Sequence, residues 1–214
     1  MTEKEIIEKF RETGIIPVVV IDDVKDAAPL AEALINGGLP VAEVTFRTPA
    51  AKEAIRIMSE NYPDLLVGAG TVLTKQQVDD AIDAGAKFLV SPGLNPEILD
   101  YALSKGIPMV PGTSNASDIE QGLARNLTFL KVFPAEAVGG LKLIKSLAGP
   151  YTTAVFMPTG GITPDNVRDY LNYDRIVAAG GSWMVPKNLI AAGDFKEIER
   201  LVKEASDIVK EVRG

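Results

Sequence analysis

The chain contains no cysteine and no histidine. These two absences remove thiolate nucleophiles, imidazole bases, disulfides and metal sites built on sulfur or imidazole. Chemistry must therefore rest on Lys, Arg, Asp, Glu, Tyr, Ser, Thr and backbone amides. An all-oxygen Mg²⁺ site is the one metal arrangement left open, and no metal and no cofactor is expected. No apolar run approaches the ~18 residues of a membrane-spanning helix. The opening MTEKEIIEKF is charged and amphipathic, without the apolar centre of a signal peptide. A cytoplasmic protein with no membrane partner is expected. Basic clusters are also missing: 22 Lys and Arg face 29 Asp and Glu, for a net charge of −7. That balance disfavours nonspecific nucleic-acid binding, yet a local pocket can still oppose it and take an anion.

What the chain does have is a repeated pattern, a short apolar run, a turn and then a longer amphipathic run. The apolar runs fall at residues 15–21, 41–46, 65–70, 87–91, 107–110, 129–133, 154–157 and 176–179. Most are separated by helical patterns of ~10–13 residues. An extra helix precedes the first run, and residues 194–212 form a closing one. Eight β-then-α units spaced roughly 25 residues apart predict an α/β fold, a parallel (β/α)₈ TIM barrel with an extra N-terminal helix. A doubly wound open sheet is the competitor. It usually has one dominant Gly-rich fingerprint, whereas here Gly-rich turns follow several strands. No linker, low-complexity tract or charge block divides the chain, so residues 1–214 read as a single domain.

In parallel barrels the chemistry gathers at the C-terminal ends of the strands. Lys131 lies inside the sixth apolar run, in FLKVFPAEA, on the same face as Phe129 and Phe133. If that face is interior, a lysine sits among aromatics. A buried ammonium is costly, and a neutral amine attacks ketones to form Schiff bases. The alternative is an outward lysine that snorkels to water. Lys87 starts its run and so belongs to the opposite end, while Lys142 and Lys145 read as solvated helix positions. In VAEVTFRTP, Glu43, Thr45 and Arg47 alternate on one face, where Glu43 suits proton transfer and Arg47 a carboxylate clamp. A structural ion pair is the alternative there. Thr71, after GAG, adds a hydroxyl or merely caps a turn. Two glycine loops, Thr159-Gly160-Gly161 and Gly180-Gly181-Ser182, follow the seventh and eighth runs, where barrels commonly bind phosphate through backbone amides; tight turns are the plain reading. Asp22-Asp23 reads as a helix cap before a metal pair.

The motifs EVTFRTP, VGAGTVL, SPGLNPE, MVPG, LKVFPAEAVGG, FMPTGGI and GGSWMVP, in this order and spacing, resemble the 2-dehydro-3-deoxy-6-phosphogluconate (KDPG) and 4-hydroxy-2-oxoglutarate (KHG) aldolases over nearly the whole chain. The resemblance implies a class I lyase that reversibly cleaves KDPG to pyruvate and glyceraldehyde 3-phosphate, and KHG to pyruvate and glyoxylate. It implies a homotrimer of (β/α)₈ barrels acting on small-molecule substrates. Lys131 takes the Schiff-base position and Glu43 that of the acid/base. Arg47 and Thr71 match the pyruvate pocket, Phe133 an active-site aromatic, Pro92 the pocket lining, and Thr159 the side of the sugar chain. Gly160, Gly161, Gly181 and Ser182 match the phosphate cradle. Val132 stands where a second Phe is common, Ala179 where Cys is frequent, Asn126 where Gly is usual, and Asn115-Ala116 where Thr-Pro is more usual. Asn115 and Asn126 both head glycosylation sequons in a cysteine-free chain. That combination suggests an engineered variant, for example a stabilised trimer or scaffold, and chance is the alternative. Two other functions compete: a non-catalytic trimeric assembly scaffold on this fold, and a phosphate-binding barrel isomerase or synthase, which needs no lysine in the sixth strand.

Overall fold

In the computed structural model, which describes residues 1–214, nine short strands alternate with helices. The strands are β1 (Ile15–Val19), β2 (Val41–Thr45), β3 (Leu66–Gly70), β4 (Leu89–Val90), β5 (Met109–Val110), β6 (Gly112–Thr113), β7 (Phe129–Val132), β8 (Val155–Pro158) and β9 (Ala179–Gly181). The helices are α1 (Glu3–Thr13), α2 (Ala27–Asn36), α3 (Ala51–Asn61), α4 (Lys75–Asp83), α5 (Pro96–Ser104), α6 (Ala116–Leu123), α7 (Ala135–Val138), α8 (Gly140–Ala148), α9 (Val167–Leu171), α10 (Lys187–Ala192) and α11 (Phe195–Arg213). All strand pairs are parallel, in a six-stranded sheet ordered β5-β4-β3-β2-β1-β9 and a three-stranded sheet ordered β6-β7-β8.

The expected strands are all present, most of them shorter by one to three residues or shifted by one, and two differences change the topology at the site. Residues 107–110 were expected to end at Pro111-Gly112. Instead the chain stays extended through Pro111, which has no N–H to donate, and resumes as β6. The last strand begins at Ala179 and so includes Gly180 and Gly181, which the sequence had suggested were a loop. Two isolated parallel bridges, Phe156 to Ile176 and Thr159 to Gly180, link β8 to the β9 segment.

The strands bury both faces, which is why they read as continuous apolar runs rather than alternating ones. Ile15, Ala42, Val44, Leu89, Leu130 and Phe156 belong to the large cluster shared with the helices. Their neighbours Ile16, Val41, Val90, Phe129 and Met157 belong to a separate cluster of 11 residues on the other face. Helix α1 closes that inner cluster. Thr2 and Glu5 form a reciprocal capping box at its start, and Ile6 and Phe10 are driven fully inside. The Phe10 ring meets Phe88 and Phe129 edge to face, at 5.0 and 5.8 Å. Phe10→Ala should cost about 3–5 kcal/mol of stability, read as a lower urea midpoint. A loss under about 1 kcal/mol would show that α1 is peripheral to the fold.

The two unusual asparagines have local structural uses. Asn115 caps α6, its side chain accepting from the Asp118 amide at 3.1 Å. Asn126 takes φ +61°, the left-handed region that asparagine tolerates better than most residues and where glycine would otherwise be favoured.

Candidate active site

Lys131 is on the inner face. It follows Phe129 by two residues on β7, and its relative exposure is 4%. Glu43, on β2 two residues beyond inward-facing Val41, is 1% exposed. Their side chains meet across the inner face, Lys131 Nζ to Glu43 Oε1 at 3.4 Å. Lys131 Nζ also lies 5.3 Å from the centre of the Phe133 ring. Removing two charges from water is expensive unless they are paired and otherwise hydrogen-bonded, yet Glu43 Oε2 has no hydrogen-bond partner. Thr159 Oγ1 is a second buried polar atom without one. Native proteins satisfy nearly all such atoms. Thr159 lines a cavity, where its hydroxyl is open to a bound molecule; a third such atom, Ser59 Oγ, lies away from it on α3.

Local backbone explains how the acid fits. Glu43 sits opposite Gly68 in the β2–β3 register, next to Gly70. A Cβ on Gly70 would lie 2.4 Å from Glu43 Oε1, so only glycine leaves room for the carboxylate.

Arg47 is not on the strand. Strand β2 stops at Thr45, whose hydroxyl donates to the Val19 carbonyl at 2.8 Å, and Arg47 lies in the following turn. The Phe46 amide bonds the Gly70 carbonyl at 2.8 Å, which brings Arg47 beside the end of β3. There its Nε donates to Thr71 Oγ1 at 3.2 Å. Thr71 holds φ +56°, costly for a β-branched residue. Strain of that kind persists where surrounding structure enforces it, often at binding sites.

A cavity of about 340 Å³ opens beside this group. Arg47, Phe133, Thr159, Gly160, Gly161, Gly181 and Ser182 all contribute to its wall. Gly160 and Gly161 take φ +96° and +81°, which lets their backbone turn toward the cavity. That turn is stitched to α7: the Ala135 amide donates to the Thr159 carbonyl and the Glu136 amide to the Gly160 carbonyl, at 2.8 and 3.1 Å. The Glu136 carboxylate accepts in turn from the Tyr170 hydroxyl. Burial, and then the Glu136 charge, push the Tyr170 phenol well above its ordinary range, so it remains a donor. Gly180 and Gly181 reach the cavity as strand residues, not as a second loop.

Pro92 stands apart from the cavity wall. Its carbonyl packs against Gly112, the register partner of Lys131. The other lysines are elsewhere, with Lys142 and Lys145 exposed and Lys87 in a separate cleft with Lys9. The aspartate pair is used structurally: Asp23 caps a 3-10 turn, accepting from the Lys25 amide at 3.1 Å, and Asp22 pairs with Lys187 at 2.8 Å. Lys187 also borders the cavity, and nothing in the sequence singles it out. A lysine opening a helix gives no signal that separates it from a solvated one.

Fold and site together define a parallel α/β enzyme with a buried lysine–carboxylate pair beside an anion-compatible cavity. The chain belongs to the KDPG and KHG aldolase family, whose model it matches over residues 6–201. It is 50% identical over 209 residues to the 2-dehydro-3-deoxy-phosphogluconate aldolase of Haemophilus influenzae, covering 98% of this chain and 99% of that one. Among solved structures it is similar to the Zymomonas mobilis 2-keto-3-deoxy-6-phosphogluconate aldolase with 3-phosphoglycerate, at TM-score 0.89 and 46% identity, covering 96% of each chain. It is also similar to the Legionella pneumophila KDPG aldolase with pyruvate captured as a covalent carbinolamine. There the TM-score is 0.90 and the identity 39%, over 95% of this chain and 97% of that one. No helix is long and apolar enough to cross a membrane.

Proposed function

We propose that this chain is a class I aldolase that cleaves KDPG to pyruvate and glyceraldehyde 3-phosphate, and KHG to pyruvate and glyoxylate, with Lys131 as nucleophile and Glu43 as acid/base. The observation that carries the reading is the buried contact of Lys131 Nζ with Glu43 Oε1 at 3.4 Å. The Lys131 amine, its proton passed to Glu43, adds to the substrate ketone to give a carbinolamine; Glu43 returns the proton to the carbinolamine hydroxyl, which leaves as water, so that an iminium forms and Glu43 is again a carboxylate. The iminium draws electrons from the C3–C4 bond while Glu43 takes the proton of the C4 hydroxyl. The aldehyde leaves, the enamine is protonated at C3, and water releases pyruvate and Lys131. Arg47, held by Thr71, binds the pyruvate carboxylate. Phe133 helps shape the pocket, Pro92 backs it from behind Gly112, Thr159 faces the sugar chain, and Gly160, Gly161, Gly181 and Ser182 offer backbone amides and a hydroxyl to the phosphate. None of these steps calls on a metal or cofactor. The assay that tests the reading is cleavage of KDPG and KHG, followed by coupled detection of pyruvate.

We further infer that the two sheets are arcs of one closed (β/α)₈ barrel forming a single domain. Support comes from both junctions: β5 and β6 are one segment interrupted at Pro111, and β8 meets the β9 segment through two bridges. A cytoplasmic homotrimer is the expected working form, and light scattering at about three times the chain mass is the check.

Two results should follow. Gly161→Val forces a side chain onto φ +81° and within 2.6 Å of Glu136 Cβ; KM for KDPG should rise about tenfold or more, and less for KHG. Equal losses on both substrates would remove these glycines from phosphate binding. Thr71→Gly relaxes the strained backbone but frees Arg47. The protein should melt no lower than the parent while KM rises for both substrates. An unchanged KM would mean that the Thr71 hydroxyl has no part in holding Arg47.

A further inference from the structure

We propose that Lys187 is a specificity-determining cation that selects the phosphorylated substrate, an inference that rests on the aldolase reading above. The chain carries a net charge of −7, yet the only charged residues bordering the cavity are two cations, Arg47 and Lys187. They stand at different places. Arg47 follows β2 and Lys187 follows β9, and in the sheet order β2-β1-β9 one strand separates them. Val18 and Val20 of the β1 segment contribute to the same wall. With Arg47 taking the carboxylate end of the substrate, Lys187 is left for a second anion, and a phosphate dianion gains more from that cation than a carboxylate monoanion does. The turn from Ser182 to the Val185 amide, at 3.1 Å, carries the chain directly from the cradle to Lys187.

The side chain is free to serve. Its partner in the structure is Asp22, at 2.8 Å, and the two side chains are 61% and 52% exposed. An ion pair so placed contributes little and exchanges easily. A phosphate dianion offers Lys187 a stronger charge-assisted contact, and Asp22 acts as its resting counter-charge.

The test compares Lys187→Gln with Lys203→Gln, which loses the same charge from an exposed pair on α11. In Lys187→Gln, KM for KDPG should rise about tenfold, with kcat little altered and the loss on KHG several-fold smaller. Lys203→Gln should change neither. Asp22→Asn, which unties Lys187, should lower KM for KDPG. A Lys187→Gln enzyme with parental KM for KDPG, or one that loses equally on both substrates, overturns the proposal. Borohydride trapping of pyruvate is run on every variant. Trapping that fails already in the parent indicts the aldolase reading, whereas normal trapping with an unmoved KM indicts the role of Lys187 alone.

Discussion

Lys131→Ala should neither cleave KDPG nor retain a three-carbon adduct when treated with pyruvate and borohydride. In the parent protein the same treatment should inactivate the enzyme and leave one adduct per chain, mapped to Lys131 and not to Lys87, Lys142 or Lys145. The expectation follows from position. Lys131 is the lysine enclosed beside the cavity, whereas Lys142 and Lys145 are exposed. The sequence alone suggests that the alanine variant folds at no cost, because it removes a buried amine. The structure changes that expectation: the alanine leaves the Glu43 carboxylate buried without its cation. Breaking a buried pair on one side costs about 3–5 kcal/mol, so the variant should melt early. The double variant Lys131→Met/Glu43→Gln removes both charges, and should regain stability while remaining inactive. Residual cleavage at a comparable rate in either protein would end the Schiff-base assignment.

Glu43→Gln should lower kcat by about 10²–10⁴-fold while imine formation with pyruvate stays detectable. The amide preserves the shape that fits against Gly70, but it cannot accept and return a proton. Glu43 Oε2 has no partner in the protein, which leaves it free to accept a proton. Near-normal turnover in this variant would take Glu43 out of the mechanism and leave the pair with Lys131 as a structural contact.

How much of this was legible beforehand depended on the range of each interaction. Alternation within one strand was enough to put Lys131 on the face of Phe129, with Leu130 and Val132 on the other. The same rule failed for Arg47, because β2 ends at Thr45 and a turn carries the arginine to Thr71. A different rule failed for Gly180-Gly181: glycine pairs signal turns, and here they lie in a strand crowded by Thr159 and Trp183. The contact between Glu43 and Lys131 joins positions 88 residues apart. No local pattern reports it, and only the resemblance to the family drew the two together. The strain at Thr71 and the placement of Lys187 are likewise set by tertiary structure.

The empty Cβ position of Gly70 also bears on how the site can change over generations. The Glu43 carboxylate occupies space that another residue, on the neighbouring strand, leaves vacant. A methyl group there expels the carboxylate from its seat without touching residue 43. The two codons are therefore bound in one direction: a protein that gives up the acid is free to fill position 70, but once it is filled, restoring glutamate at 43 alone does not bring the acid back. Bringing the carboxylate back to its seat in such a copy would take paired substitutions, at 43 and at 70.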